Sequence, residues 1–338
     1  MPICISSQSS RRAKRAPSLV RLAHAVRLAL GVTAAVALAS AISGCNQEDS
    51  SAVGVTVRSY AAPPLGTAGA VNTYWIETEH GVIVIDGLRT IPDGQAAVAE
   101  LRKRGKPIEA IFITHPHPDH VGGLGIFAES RPGIPIYASK GTDDEIANDT
   151  QGLFALARSF EGSNYPATVT RPTHIVHDGE SLTIDGVQLV VHARGASEAS
   201  DAIAIEVPSI GAFFEGDVVA NKMSPALFEG RSGAWVKQLG ELRAALPDRT
   251  TIFPGHGQPG PGAELIDAQK HYLEVFRQLV LDNRLPDKTV DAAGKARIIA
   301  ALNDAFPNYP FVAAKFDGML EANIDAVAKE LASTQPAP

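Results

Sequence analysis

The densest group of potential metal ligands in this sequence is Thr114-His115-Pro116-His117-Pro118-Asp119-His120. The two prolines stiffen the backbone and favour an extended conformation, in which alternate side chains project to one side. We therefore expect His115 and His117 to share one metal centre, and Asp119 and His120 to serve a second. Imidazole and carboxylate ligands suit zinc, and iron or manganese are other metals that this ligand set permits.

Outward from this stretch, short apolar runs alternate with amphipathic segments. The run from Val82 to Ile85 is continuously apolar, as expected of a strand that is buried on both faces. The pattern predicts strands at residues 71–76, 81–86, 108–114, 134–138, 173–176, 181–184, 187–192, 202–207, 212–215 and 251–253. It predicts helices at residues 93–104, 142–160, 233–246, 264–283, 291–306 and 320–331. Mixed strands flanked by helices indicate an α/β fold, a layered sandwich rather than a barrel.

Three further short motifs accompany the ligand-rich stretch. Residues 84–87 read Val-Ile-Asp-Gly, residues 214–217 read Phe-Glu-Gly-Asp, and residues 254–257 read Pro-Gly-His-Gly. Together with His115-x-His117-x-Asp119-His120, in this order and at this spacing, they resemble the metallo-β-lactamase superfamily. The resemblance implies a four-layer αββα sandwich, here with extra C-terminal helices. It also implies that Asp217 bridges two metals, that His256 completes the second site, and that Asp86 orients a ligand from outside.

One motif departs from the superfamily pattern. Many members carry Gly-His-Thr at this point, whereas residues 194–201 read Arg-Gly-Ala-Ser-Glu-Ala-Ser-Asp, and Ala196 cannot bind a metal. Two side chains can replace the missing histidine: Glu198 in the loop, or His192 at the end of the preceding strand. The alkylsulfatase-like branch has a glutamate in a Gly-x-Glu-Ala-Pro pattern, which this stretch resembles imperfectly. We favour Glu198, because strand alternation turns His192 away from the more apolar face of its strand.

The resemblance implies a centre with two zinc ions, or iron or manganese in their place. Its ligands would be His115, His117 and Glu198 at site one, Asp119, His120 and His256 at site two, and Asp217 between them. In such a centre a metal-bridging hydroxide attacks the substrate, and Asp119 is the expected catalytic residue because it can relay a proton. The expected reaction is hydrolysis of an ester, lactone, β-lactam or related small molecule. The alternatives are a sulfate- or phosphate-ester hydrolase and an iron-dependent persulfide dioxygenase-like enzyme.

The first 44 residues have the features of an export signal. They contain six of the 30 basic residues and none of the 37 acidic ones. The apolar run from Leu28 to Ile42 is shorter than the roughly 20 residues that span a membrane. It ends in Ile42-Ser43-Gly44-Cys45, which resembles the lipobox of bacterial lipoproteins. We expect residues 1–44 to be a lipoprotein signal peptide, Cys45 to anchor the protein to the membrane through a lipid, and the protein to face the periplasm in the bacterial cell envelope.

The rest of the chain is interpreted as a tether at residues 45–55, a catalytic domain at 56–284 and a C-terminal helical extension at 285–338. It is acidic, which argues against a nucleic-acid partner and leaves a small-molecule substrate. Specificity is expected from segments near the metals, namely residues 60–65, 153–160 and 221–235. Within the last segment, Asn221 and Lys222 are candidates for binding an anionic group.

Overall fold

The computed structural model describes residues 54–313 and 317–334. In this part of the chain the strands are β1 (Thr56–Ala62), β2 (Val71–Glu77), β3 (Val82–Ile85), β4 (Ile108–Phe112), β5 (Ile136–Ala138), β6 (His174–Ile175), β7 (Ser181–Ile184), β8 (Val187–Ala193), β9 (Ile203–Val207), β10 (Ala212–Gly216), β11 (Thr251–Pro254) and β12 (Gly260–Pro261). The helices are α1 (Ile91–Arg102), α2 (Pro118–Val121), α3 (Leu124–Glu129), α4 (Lys140–Asn148), α5 (Leu153–Glu161), α6 (Ser232–Ala245), α7 (Gly262–Asn283), α8 (Ala292–Ala305) and α9 (Met319–Thr334).

The strands of the described residues form two mixed six-stranded sheets. The first has the order β1-β2-β3-β4-β5-β6, antiparallel from β1 to β3 and parallel from β3 to β6. The second has the order β12-β11-β10-β9-β8-β7, and within it only β10 and β11 run parallel. Each sheet therefore contains parallel strands, whose carboxyl ends are available for a site.

Alternation along the strands divides the core into layers. In β3, Ile83 and Ile85 belong to the cluster between the two sheets, whereas Val82 and Val84 belong to the cluster under helices α1, α3 and α5. This period of two is expected of a strand that is buried on both faces. A further cluster covers the outer face of the second sheet with α6, α7, α8 and α9. The order is helix, sheet, sheet, helix, which confirms the predicted four-layer αββα sandwich with C-terminal helices.

The C-terminal helices share a core with the preceding helices. Trp235 of α6, Phe276 of α7, Ile298 of α8 and Val327 of α9 are all buried in one cluster. Glu330 of α9 also accepts hydrogen bonds from the backbone of the first residues of α6. The described residues of α8 and α9 are thus packed against the second sheet and its helices.

The predicted single helix at residues 142–160 is wrong, because the structure has two helices there. Asp149 adopts a left-handed conformation with φ of 47° and ends α4. Its carboxylate then accepts hydrogen bonds from the backbone N–H groups of Phe154 and Ala155, at 2.9 Å each, and so caps the start of α5. One aspartate therefore both ends one helix and begins the next.

The segment from 60 to 65 is also not simply a loop. Residues up to Ala62 belong to β1, which pairs antiparallel with β2 along its whole length. Its burial alternates only weakly, because β1 is an edge strand, and this explains why the sequence pattern did not reveal it.

The predicted signal peptide, Cys45 and almost all of the predicted tether lie outside the described residues. Among the helices that are described, none is both long and apolar enough to cross a membrane.

Candidate metal centre

The ligand-rich stretch lies where β4 leaves the first sheet. His115 and His117 follow β4 outside regular secondary structure, with His117 in an extended conformation, and Pro118 then opens the short helix α2, which carries Asp119 and His120. The extended part brings His115 and His117 together, as alternation predicts. Asp119 and His120 reach the other side of the site by the turn of α2 rather than by continued extension.

Site one combines this stretch with two acidic residues from the second sheet. His117 Nδ1 lies 3.1 Å and His115 Nε2 3.9 Å from Glu198 Oε2. His115 Nε2 also lies 3.7 Å from Asp217 Oδ2. The ligand atoms of these four residues all lie within 4.8 Å of one another, and all four residues are buried.

Site two is formed by Asp119, His120 and His256, whose ligand atoms also lie within 4.8 Å of one another. His256 Nε2 is 3.3 Å from Asp119 Oδ2 and 3.0 Å from Asp217 Oδ2. His120 Nε2 is 3.3 Å from Asp217 Oδ1. Asp217 therefore faces ligands of both sites, which is the position expected of a bridging carboxylate.

The two candidates for the third ligand of site one have different surroundings. Glu198 lies 3% exposed in the cluster, and its Oε1 accepts a hydrogen bond from Ala226 N at 3.1 Å. His192 is half-buried on the face of β8 opposite to the buried Leu189 and Val191. There its Nε2 lies 2.7 Å from Glu206 Oε2, and its ring packs near Phe213. Only Glu198 is placed to serve as a ligand.

The donor atoms of the two sites fit divalent metals. Five buried side-chain atoms that point into the centre have no hydrogen-bond partner: His115 Nε2, His120 Nε2, His256 Nε2, Glu198 Oε2 and Asp217 Oδ1. Buried polar atoms are rarely left unpaired, because desolvation costs about 1–3 kcal/mol each. Nitrogen and carboxylate oxygen are the donors that zinc prefers.

The sequence model of the metallo-β-lactamase superfamily matches residues 66–256, which is more than half of the 338 residues. The chain belongs to this superfamily. The matched range begins before β2 and ends at His256, so it contains strands β2 to β11 and every candidate ligand of the two sites.

Known members of the superfamily show the degree of similarity. A linear primary-alkylsulfatase from Pseudomonas sp. is 28% identical over 228 residues, covering 57% of this chain and 42% of that enzyme. A metallo-β-lactamase from Chryseobacterium indologenes is 24% identical over 217 residues, covering 63% of this chain and 81% of that enzyme. A β-lactamase domain protein from Burkholderia ambifaria shares the fold, with a TM-score of 0.60 at 16% identity over 81% of this chain and 84% of that one. The alignment thus spans less than half of the alkylsulfatase.

Each of the four histidines of the candidate centre also contacts a neighbouring group through the ring nitrogen that points away from the centre. Thr114 Oγ1 lies 2.9 Å from His115 Nδ1, and Asp86 Oδ2 lies 2.8 Å from His120 Nδ1. The remaining contacts join His117 Nε2 to Glu229 Oε1 at 2.9 Å and His256 Nδ1 to the carbonyl oxygen of Ala70 at 2.5 Å. Such contacts fix the ring and the tautomer, so that one nitrogen is directed inward. The contact of Asp86 matches its predicted orienting role.

Glycines in the superfamily motifs leave room for the ligands. A Cβ on Gly255 would lie 1.9 Å from Asp217 Oδ1. Gly216 has φ of 53°, and a Cβ there would lie 2.5 Å from Thr114 Oγ1. Any larger residue at either position would displace a ligand or the residue that holds it.

Close packing of these groups shifts their pKa values. Burial lowers the pKa of His256, but the Asp217 and Asp119 carboxylates outweigh burial and raise it to about 10. Burial and the neighbouring Asp217 carboxylate raise the pKa of Glu198 to about 7, although His117 acts in the opposite direction. Burial raises the pKa of Asp217, but His256 and His120 hold it well below its usual range. Without a metal, the neighbouring carboxylates thus favour the protonated form of His256.

Two contributors to the site were missed in the sequence. Glu229 contacts His117 from a position 112 residues later in the chain. Arg89 donates hydrogen bonds to Asp119 Oδ2 at 3.2 Å and to the carbonyl oxygen of Val312 at 2.9 Å. Neither residue lies in a local pattern that marks it, because each acts through a contact between distant parts of the chain. Lys222, by contrast, is exposed and does not line the cavity above the candidate metal ligands.

A cavity of about 300 Å³ opens above the metal centre. Its floor is formed by His117, Asp119, Glu198 and Asp217. Two of the three segments predicted to set specificity line it: residues 153–160 through α5, and residues 221–235 through Ala226 and Phe228. The third, residues 60–65, contributes no described lining residue.

Proposed function

We propose that the protein is a dinuclear metal-dependent hydrolase of small molecules, with zinc as its metal. The observation that carries this proposal is the convergence of the five unpartnered donor atoms on one buried centre beneath an open cavity. Ordinary buried polar networks satisfy their own members, whereas this one leaves five inward-facing atoms that bound cations would pair. Membership of a superfamily whose named relatives are hydrolases supports the same reaction class.

The residues of the two sites have distinct roles in this proposal. His115, His117 and Glu198 hold one ion, and Asp119, His120 and His256 hold the other, with Asp217 shared. When bound, the two ions supply a water of lowered pKa as nucleophile and polarise the bond under attack. No serine or cysteine nucleophile is required.

Asp119 is the proposed proton-relay residue. It lies on the floor of the cavity, so its carboxylate can accept a proton from the attacking water and return it to the leaving group. Burial raises the pKa of Asp119, but the neighbouring His256 and the nearby charge of His120 outweigh burial and lower it. Arg89 holds Oδ2 of the carboxylate in place. The carboxylate is therefore oriented before the substrate arrives.

The scissile bond is proposed to be a carboxylic ester, lactone or β-lactam. A sulfate ester is the second candidate, because a relative is named as an alkylsulfatase and because Glu198 replaces the usual histidine. An anionic ligand at site one makes its metal a weaker Lewis acid and modestly favours harder metals.

A substrate screen tests the reaction class. The metal-loaded protein is incubated with chromogenic esters, lactones, cephalosporins and sulfate esters, before and after chelation. We expect hydrolysis of at least one class, its loss on chelation and its return with zinc. The proposal is overturned if activity survives chelation or if Asp217→Asn retains full activity. Oxygen consumption with a persulfide by an iron-loaded protein would instead identify an oxygenase.

We further propose that Cys45 is lipidated and anchors the protein at the periplasmic side of a bacterial envelope membrane. The support is Ile42-Ser43-Gly44-Cys45 after an uncharged apolar run. Cys45→Ser should release the protein from the membrane fraction. If the variant remains there in the same amount as the parent, this anchor is wrong.

A further inference from the structure

One helix lines the cavity with an apolar stripe. Leu153, Leu156, Ala157 and Phe160 of α5 all face it, at the spacing i, i+3, i+4 and i+7 that places side chains on one face of a helix. Another residue of the same helix, Phe154, is buried in the core beneath. Helix α5 therefore has apolar residues on two faces: Phe154 lies in the core, and the stripe lines the cavity.

Two large side chains of the stripe are exposed. Leu156 is 40% and Phe160 is 45% exposed, and they are two of the four large hydrophobic side chains that are exposed among the described residues. The other two, Ile210 and Leu285, do not line the cavity. Two large apolar side chains beside one cavity expose surface that gains free energy when an apolar ligand covers it.

The remaining walls are also apolar. They are formed by Ala226 and Phe228 of the loop before α6, together with Val312, Ala313 and Met319. Above the floor, the charged side chains among the described lining residues are Arg89 and Glu161. Arg89 is already engaged by Asp119 and the Val312 carbonyl oxygen. A polar substrate group placed against these walls would lose its hydration with few partners in return.

We infer that the substrate carries an aliphatic chain next to the bond that is cleaved, and that this chain lies along the α5 stripe. The inference rests on the proposed hydrolase function, because it places the scissile bond over the metal floor. The floor and the apolar walls belong to one continuous cavity, so a single amphiphilic molecule can occupy both. The stripe then determines chain length, and the metals determine which bond breaks.

A chain-length series tests this inference in the metal-loaded protein. The substrates are 4-nitrophenyl esters with acyl chains from two to ten carbons, and a parallel series of alkyl sulfates distinguishes the two head groups. We expect kcat/KM to rise about fourfold with each methylene until the cavity is filled, mainly through a lower KM. Hydrolysis with kcat/KM independent of chain length, or falling with it, overturns the inference and leaves the proposed function standing.

Variants of the stripe locate the effect. In Leu156→Ser/Phe160→Ser, the ratio of kcat/KM for the octanoyl ester to that for the acetyl ester should fall on the order of tenfold. Ile210→Ser is the matched control, since Ile210 is 39% exposed but lies in the turn between β9 and β10. The control should keep the parental ratio, and equal losses in the two variants would contradict the inference.

A binding measurement separates the two proposals. Calorimetric titration of the metal-loaded protein with 1-octanol reports the chain site without any reaction. Binding that is weakened by Leu156→Ser/Phe160→Ser supports the chain site even if no ester or sulfate is hydrolysed, in which case the proposed function fails alone. Undetectable octanol binding, or binding that the double variant leaves unchanged, contradicts the chain site.

Discussion

Each clustered histidine is oriented by a partner that lies outside the centre. A hydroxyl group holds His115, a backbone carbonyl oxygen holds His256, and carboxylates hold His117 and His120. A carboxylate partner raises the basicity of the inward nitrogen and so strengthens metal binding. Each site therefore contains one histidine that contacts an outer carboxylate: His117 in site one and His120 in site two.

At the same scale, the glutamate in the third motif is expected to be indispensable for site one. Glu198→Ala should lower metal content toward one ion per chain, because it removes the carboxylate that faces His115 and His117. The variant should also lose roughly 3 kcal/mol or more of transition-state stabilisation, which lowers its reaction rate about a hundredfold. His192→Ala is the control, and elemental analysis with kinetics should find it close to the parent. The opposite behaviour of the two variants would refute the assignment.

Zinc affinity is expected to rise with pH. His120 and His256 have raised pKa values because carboxylates outweigh the effect of burial, and that of Glu198 is raised to about 7. Zinc binds the deprotonated forms, so these protons must leave, and higher pH favours binding. With at least one proton released per ion, affinity should increase about tenfold or more per pH unit between pH 6 and 8. Chelator competition measures this, and a flat profile would exclude protonated ligands in the metal-free centre.

At the scale of elements, helix α9 holds the loop that supports site one. Asn323 is fully buried, and its amide accepts a hydrogen bond from Leu227 N at 2.7 Å and donates one to the Pro225 carbonyl oxygen at 2.9 Å. Between these two residues, Ala226 N donates to Glu198. The same loop carries Glu229, the partner of His117. A C-terminal helix thereby fixes the outer contacts of both Glu198 and His117.

Removal of that amide should therefore affect metal binding as well as stability. Asn323→Ala leaves a buried N–H and a buried carbonyl oxygen unpaired, at about 1–3 kcal/mol each. We expect a lower free energy of unfolding and at least tenfold weaker binding of one of the two ions, measured by denaturation and metal titration.

Gln269→Ala is the matched control for this experiment. Gln269 is a buried amide on α7 that accepts a hydrogen bond from Ala220 N at 3.2 Å. The control should lose stability but retain both ions. Equal metal loss in the two variants would mean that general destabilisation, rather than the loop, is responsible.

Elements with strong local patterns could be predicted from the sequence, and so could a metal centre at the ligand-rich stretch. The strand at residues 82–85 is a continuous apolar run, and the ligands of 115–120 are adjacent in sequence. The break between α4 and α5 was missed because it depends on the left-handed conformation of Asp149 rather than on glycine or proline alone. Glu229, Arg89 and Asn323 were missed because their partners are distant in sequence, and no local period reports such contacts.

At the scale of the whole molecule, the centre joins the two halves of the sandwich. The first sheet supplies the stretch after β4, whereas the second supplies Glu198, Asp217 and His256. The residues after α8 complete the cavity through Val312, Ala313 and Met319. Two ions held between the halves would link both sheets, so folding and metal binding are expected to depend on each other.

The ratio of metal to protein in purified, active enzyme tests this account most directly. Elemental analysis should find about two ions per chain, predominantly zinc, and Asp217→Ala should reduce both because its carboxylate faces both sites. Full activity with one ion or none per chain would contradict the dinuclear centre.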